Sequence, residues 1–247
     1  MALRSALINI IFKAASKAAR RMMRDFGEAE NLQVSRKGAA DFVSQADLSA
    51  ERTLKDELEH ARPGWNMVVE ETGYVKGASS DAPTWIIDPL DGTTNFLHGI
   101  PHFAICIALQ SKKEIVSGLI FDPIKDEMFF SEKNKGAYLN NQRLRVSKKN
   151  DINDCLFSSN HDGVKFSNFN MRFTGCAALD LAYVAAGRFD GFFHNDINLW
   201  DVAAGSLMVQ EAGGIVNDVY KFKNNAINIR ASSDGINDKM LKELQNF

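Results

Sequence analysis

Two aspartates three residues apart, Asp88 and Asp91, follow the short apolar run Trp85-Ile86-Ile87, with Pro89 between them and Gly92-Thr93-Thr94 directly after. Carboxylates are hard oxygen donors, and a strand delivering two of them to its C-terminal edge makes a site suited to Mg²⁺. A helix starting at Gly92-Thr93-Thr94 would turn its free N–H groups toward the same spot, and helix N-termini take phosphate. Metal beside phosphate points to phosphoryl chemistry. Taken alone, Asp-Pro-x-Asp-Gly also reads as a plain turn, so its companions must decide. Glu70 ends a second apolar run, Met67-Val68-Val69. If both strands lie in one sheet with these ends together, Glu70, Asp88 and Asp91 converge. Three carboxylates at one spot repel unless cations neutralise them. A fourth acid, Asp201, opens the helical stretch 201–212; its plainer reading is an N-cap.

The hydrophobic pattern predicts the elements that must hold these residues. Leu3, Leu7, Ile10, Ile11, Ala14, Ala18 and Met22 fall on one helical face. Gly27 and the polar 28–31 are expected to end that helix, before a short strand at 32–36 and a loop at 37–40. Asp47 is placed as the cap of a second helix carrying Leu48, Glu51, Leu54, Leu58 and Ala61, which Arg62-Pro63-Gly64 stops. The Gly-, Ser- and Asp-rich 73–83 reads as a mobile loop. Strands at 103–110, 115–122, 127–131 and 137–139 with short connections predict a largely antiparallel sheet. The polar 147–151 marks a boundary between an N-terminal α+β part, 1–147, and a C-terminal α/β part, 148–247. Beyond it come a strand at 156–159, helices at 177–186, 201–212 and 238–247, and strands at 191–194 and 215–218. That alternation is α/β.

The chain has 247 residues, 45% hydrophobic and 24% charged, which is ordinary for a globular protein and long enough for a substantial core. Its net charge of −2 gives no general reason to expect a nucleic-acid partner, and no apolar run reaches transmembrane length. Three cysteines, Cys106, Cys155 and Cys176, form no CxxC and fit reduced thiols in the cytoplasm. The five histidines show no zinc spacing, which leaves carboxylates as metal ligands. Residues 1–24 carry six basic residues and no acid, the composition of a transit peptide. The apolar stripe on the same segment argues instead for a helix covering a core.

With its companions in place, the first motif becomes specific. Asp88-Pro89-Leu90-Asp91-Gly92-Thr93-Thr94-Asn95-Phe96 resembles the first signature of the inositol monophosphatase family, and Trp200-Asp201-Val202-Ala203-Ala204-Gly205 with Glu211-Ala212-Gly213-Gly214 resembles the second. Val69-Glu70-Glu71-Thr72 and 41–47 resemble two further family elements, in family order, so the likeness spans the chain. It implies a layered α-β-α-β-α sandwich, usually dimeric, with Mg²⁺-dependent, Li⁺-sensitive phosphatase activity on small phosphorylated substrates such as inositol 1-phosphate. Related enzymes act on fructose 1,6-bisphosphate, histidinol phosphate, NADP or 3′-phosphoadenosine phosphates, and some bacterial members associate with the transcription machinery, RNA polymerase included.

Carried over by motif, Glu70, Asp88 and the Leu90 carbonyl would hold one Mg²⁺, Asp88, Asp91 and Asp201 a second, and a loose third would sit near Glu70. Asp47 and Thr93 would orient the attacking water, and the amides of Gly92, Thr93 and Thr94 would bind phosphate oxygens. Arg172, Gly175, Cys176 and Ala177 resemble the segment that meets substrate hydroxyls, and Lys37 or Arg36 matches a basic position ahead of the first acidic element. His194 stands seven residues before Asp201, where many members carry a Glu that accepts from substrate hydroxyls. It reads either as a substrate contact or as a polar strand end.

Overall fold

The computed structural model describes residues 4–32, 39–159, 170–217 and 226–244. Two long helices, α1 (Ala6–Leu32) and α2 (Ala39–Ala61), open the chain. Ile8, Ile11, Ala14, Ala15, Ala18 and Met22 are buried on the apolar face of α1, and Leu54 and Leu58 on that of α2. Gly27 does not end α1. A lone helical Gly costs only about 1 kcal/mol, and beside it Phe26 anchors the helix by packing on Phe96 and Phe103, with ring centroids 5.4 and 5.0 Å away. The expected strand at 32–36 is overturned at Leu32, which is helical, and 33–36 lie outside the described residues.

Eight strands then form the first sheet: β1 (Asn66–Val69), β2 (Gly73–Val75), β3 (Thr84–Asp91), β4 (Ala104–Ser111), β5 (Glu114–Asp122), β6 (Glu127–Glu132), β7 (Gly136–Leu139) and β8 (Gln142–Arg143). Their order is β2-β1-β3-β4-β5-β6-β7-β8. Every pairing is antiparallel except β1 with β3, which is parallel. The stretch 73–83 is more ordered than its composition predicts. It begins as β2, and the buried Asn66 side chain ties it down, donating to Ser79 O and Ala82 O and accepting from the Gly77 N–H at 2.8 Å.

The second sheet runs β10-β9-β11-β13-β12, built from β9 (Leu156–Ser158), β10 (Asn170–Arg172), β11 (Gly191–Asn198), β12 (Ile215–Asn217) and β13 (Ala226–Ser232). A short helix, α3 (Thr93–Leu97), follows β3, while α4 (Ala177–Ala185), α5 (Leu199–Glu211) and α6 (Asn237–Leu244) belong to the second half.

Three apolar clusters fix the layers. One joins α1 and α2 to one face of the first sheet through Trp85, Ile87, Ile105 and Leu119. A second fills the space between the sheets with α4 and α5, meeting Ile86, Cys106 and Phe129 on one side and Phe192, Ile227 and Ile229 on the other. A third seats α6 on the far face of the second sheet through Phe157, Phe193 and Met240. The result is α-β-α-β-α. Close backbone approach is part of it: a Cβ on Gly118 of β5 would lie 2.8 Å from Ala204 Cα of α5, so only glycine lets that helix settle there.

Candidate active site

Strand register builds the site. Parallel pairing sets Val69 opposite Ile87, and the Glu70 N–H donates to Ile87 O at 3.3 Å. The chain therefore leaves β1 with Glu70 level with Asp88. Within β3, residues three apart should face opposite sides of the sheet, since side chains alternate. A bulge overrides this. Asp88 pairs with Cys106 and Asp91 with Ala104, so β3 spends one more residue than β4 across that interval. The extra residue turns both aspartates to the same face, the one covered by α4 and α5. There the ligand atoms of Asp88, Asp91 and Cys106 all lie within 4.8 Å of one another.

Two helices between the sheets complete the arrangement. The Ala178 N–H, in the first turn of α4, donates to Asp91 Oδ2 at 2.6 Å, and the thiol of Cys176, just ahead of that helix, donates to the same oxygen at 3.1 Å. The Thr174 hydroxyl holds this turn by donating to Asp180 Oδ1 at 2.7 Å. Asp201 lies in the first turn of α5 and accepts from the Asn198 N–H at 3.2 Å. It does not open or N-cap the helix as expected: Asn198 is the N-cap, and Asp201, three residues on, completes a capping box with it while lying among the acids.

Glu70, Asp88, Asp91 and Asp201 are pushed toward protonation, first by burial. Neighbouring carboxylates add to this for Glu70, Asp88 and Asp201; Asp201 reaches about 8. Asp91 rises to about 6 although hydrogen bonds from Ala178, Cys176 and Gly92 favour its charged form. None of the groups shifting these four is a Lys or Arg. Such a site is oxygen-rich and, among the described residues, has no cation to compensate its carboxylates; it fits a hard divalent cation.

Asp47 does not cap α2. The helix begins at Ala39, because the two alanines ahead of Asp41 favour helix. Asp47 therefore sits in its interior, 4% exposed, with Oδ1 unpartnered. Burial first, then Glu70, Glu71 and Glu51, raise it to about 7. Thr93 opens α3, and its hydroxyl donates to Leu90 O at 2.9 Å. Gly92 precedes it at φ 93°, and a Cβ there would lie 3.0 Å from His102 O. Thr94 is exposed.

Of the expected substrate contacts, Gly175, Cys176 and Ala177 lead into α4 beside Asp91, and the Asn95 side chain bridges Thr174 O and His102 O at 2.8 Å each. Arg172 is exposed on β10 with its Nη1 on the neighbouring Met171 O. His194 lies within β11, half-buried, on the same face as Phe192, with Nδ1 2.5 Å from Asn195 O. Lys37 and Arg36 lie outside the described residues. Sequence reasoning missed Cys106, Ala178 and Asp180 as neighbours of the acids. Ala178 ends the family-like stretch from Arg172, but nothing in that stretch points to the acids; no motif marks Cys106 or Asp180, and only the β3–β4 register and the docking of α4 bring the three in.

The chain matches the family described as "Inositol monophosphatase family" over residues 3–246. It is 47% identical over 230 residues to an inositol-1-monophosphatase of Rhizobium meliloti, covering 87% of this chain and 86% of that one. It is 40% identical over 227 residues to the Nus factor SuhB of Escherichia coli K12, covering 86% and 85%. The extragenic suppressor protein suhB of Bartonella henselae superposes with a TM-score of 0.85 at 44% identity, over 97% of this chain and 98% of that one. An IMPase of Thermotoga maritima does so at 0.83 and 32% identity, over 98% of each.

Proposed function

The chain belongs to the inositol monophosphatase family, a family of phosphatases, and we propose that it hydrolyses inositol 1-phosphate to inositol and phosphate in a Mg²⁺-dependent reaction. The observation carrying this reading is the convergence of Glu70, Asp88, Asp91 and Asp201 from separate elements, with no Lys or Arg among the described residues that shift them. Glu70, Asp88 and the Leu90 carbonyl would hold one ion, Asp88, Asp91 and Asp201 a second, with a weaker third beside Glu70. When bound, the ions supply Lewis acidity, easing deprotonation of water and neutralising phosphoryl charge.

The chain's own residues do the positioning. Thr93 gives its hydrogen to Leu90 O, which leaves its oxygen to accept from a water. Asp47 Oδ1, buried and unpartnered, is a second acceptor for that water. The amides of Gly92, Thr93 and Thr94 bind phosphate oxygens. Cys176 and Ala178 hold Asp91 by its Oδ2. No side chain serves as nucleophile, so the phosphoryl group passes directly to water. Residues 1–147 supply most of the acids, and 148–247 bring Asp201 and the substrate-facing segment with Arg172, Gly175, Cys176, Ala177 and His194.

The enzyme acts as a Li⁺-inhibited homodimer in the cytoplasm, a reading supported by the family resemblance and by three buried cysteines without disulfides; no helix of the described residues is long and apolar enough to cross a membrane. Phosphate release over a panel of inositol, sugar and nucleotide phosphates is the test. Expected are preference for inositol 1-phosphate, loss in EDTA, and a fall of roughly 10²–10³-fold or more in Asp91→Asn. Full activity in EDTA or in that variant would sink the metal assignment, and preference for another panel member would move the substrate.

A second role, association with the transcription machinery, is favoured by the likeness to the E. coli Nus factor. If it exists apart from catalysis, Asp91→Asn will still retain RNA polymerase in a pull-down, whereas no retention by either protein removes it.

A further inference from the structure

Among the described residues one group of side chains has the spacing of a metal site, and one of its three ligand atoms is a sulfur: Asp88, Asp91 and Cys106. Mg²⁺ has little use for a thiol. It prefers octahedral oxygen and parts reluctantly with water. Zn²⁺ and its neighbours readily take Cys together with carboxylate.

We propose that Asp88, Asp91 and Cys106 form a binding site for a thiophilic divalent cation of the Zn²⁺ class, and that its occupation excludes productive loading of the centre with Mg²⁺. The inhibitory consequence rests on the Mg²⁺ reading above; the binding itself does not.

Backbone pairing, not a mobile side chain, places the sulfur. Cys106 is the direct cross-strand partner of Asp88 and shares its face of the sheet with Ala104, the partner of Asp91. It is 1% exposed, and its sulfur is one of the three clustered ligand atoms. Cys176 differs: its thiol is occupied by Asp91. The spacing is within reach of a tetrahedral ion. Zn–O of about 2.1 Å and Zn–S of about 2.3 Å put neighbouring ligand atoms about 3.5 Å apart. The three atoms here lie within 4.8 Å, so closure of about 1 Å suffices. On coordination the thiol loses its proton to solvent as the sulfur–metal bond forms. The centre is then ambivalent. Its carboxylates serve a hard cation, and the same carboxylates with Cys106 serve a softer one that binds mixed donor sets more tightly.

Cd²⁺ is the probe, because its bond to thiolate gives an ultraviolet charge-transfer band that oxygen ligands do not. The purified full chain is titrated with Cd²⁺ without substrate. The band is expected to saturate near one equivalent, to vanish in Cys106→Ser, to persist in Cys155→Ser, and to need more Cd²⁺ when Mg²⁺ is in excess. Asp91→Asn keeps the thiol and should weaken Cd²⁺ binding about tenfold or more, which covers the case of a misfolded Cys106→Ser. In a parallel assay, half-inhibition of Mg²⁺-supported phosphate release should require about tenfold more Zn²⁺ in Cys106→Ser. The proposal is overturned by no band, by a band surviving in folded Cys106→Ser, or by a band indifferent to Mg²⁺ and to Asp91→Asn. A chain showing the band without releasing phosphate sinks only the phosphatase reading. Mg²⁺-dependent activity without the band sinks only this one.

Discussion

Thr93 is the smallest test of how single residues serve this site. Its hydroxyl donates to Leu90 O; on the function proposed above, the same group would steady a carbonyl that holds a cation and would offer its oxygen to a water. Thr93→Ala should lower kcat by roughly 10²-fold, the cost of losing a positioned proton acceptor; a change confined to KM would show that Thr93 only holds phosphate. His194, at the position where the family resemblance implies a Glu in many members, lies on the face of β11 that looks toward α4 and α5. If it meets substrate, discrimination among inositol phosphates is relaxed, because a fixed carboxylate acceptor is missing. His194→Glu should then raise the preference for inositol 1-phosphate over glycerol 2-phosphate, measured as a ratio of kcat/KM. An unchanged ratio leaves His194 as a strand residue only.

At the scale of elements, the bulge in β3 and the close of α5 divide the labour. The bulge is chemical in purpose, since without it Asp91 would face the α1–α2 side. Glu211, part of the second signature, is structural. From the last turn of α5 its carboxylate accepts from the N–H groups of Asn134 and Gly136, both at 2.7 Å, and so clamps the β6–β7 turn to the helix carrying Asp201. Glu211→Ala should cost about 1–3 kcal/mol in denaturant unfolding, because two amides lose a charged acceptor. The Mg²⁺ dependence of activity in the folded variant should stay as it was. A shifted Mg²⁺ requirement at unchanged stability would place Glu211 in the site instead.

Across the whole molecule, the centre gathers acids from the first sheet, from α2 and from α5, and their charge is a standing cost to the fold. Asp91, Asp47 and Asp201 have folded values of about 6, 7 and 8 against an ordinary 3.8. A carboxyl whose value is raised on folding holds its proton more tightly when folded. Stability is therefore greatest near or below 3.8 on this account and falls as pH rises toward 8. In EDTA the melting temperature should drop across pH 4–8, after allowing for general acid effects at the low end. Mg²⁺ should raise it more at pH 8 than at pH 5, because only the ionised form rewards the ion. Equal Mg²⁺ stabilisation at both pH values would show that these acids do not share its site.

Much of this was legible in the chain itself. Asp88-Pro89-Leu90-Asp91-Gly92-Thr93-Thr94 announced a strand ending in acids, the family likeness held from residue 3 to 246, and periodicity located most helices and strands within a few residues. These are local properties: apolar spacing, turn residues and motif chemistry act over one or two turns. Periodicity also marks β13, where Ile227, Ile229 and Ala231 alternate into the core. Tertiary structure decided the rest. Asp47 looked like a cap, because Asp favours caps, yet it lies inside a helix whose start the preceding alanines set. Gly27 looked like a stop, yet Phe26 pins the helix against Phe96 and Phe103. Nothing around Cys106 announced its place opposite Asp88, since strand register is a contact between segments distant in the chain. Which side of a sheet Asp91 faces depended on one extra residue in β3, measured against β4, and a single strand carries no record of the partner against which a bulge is counted.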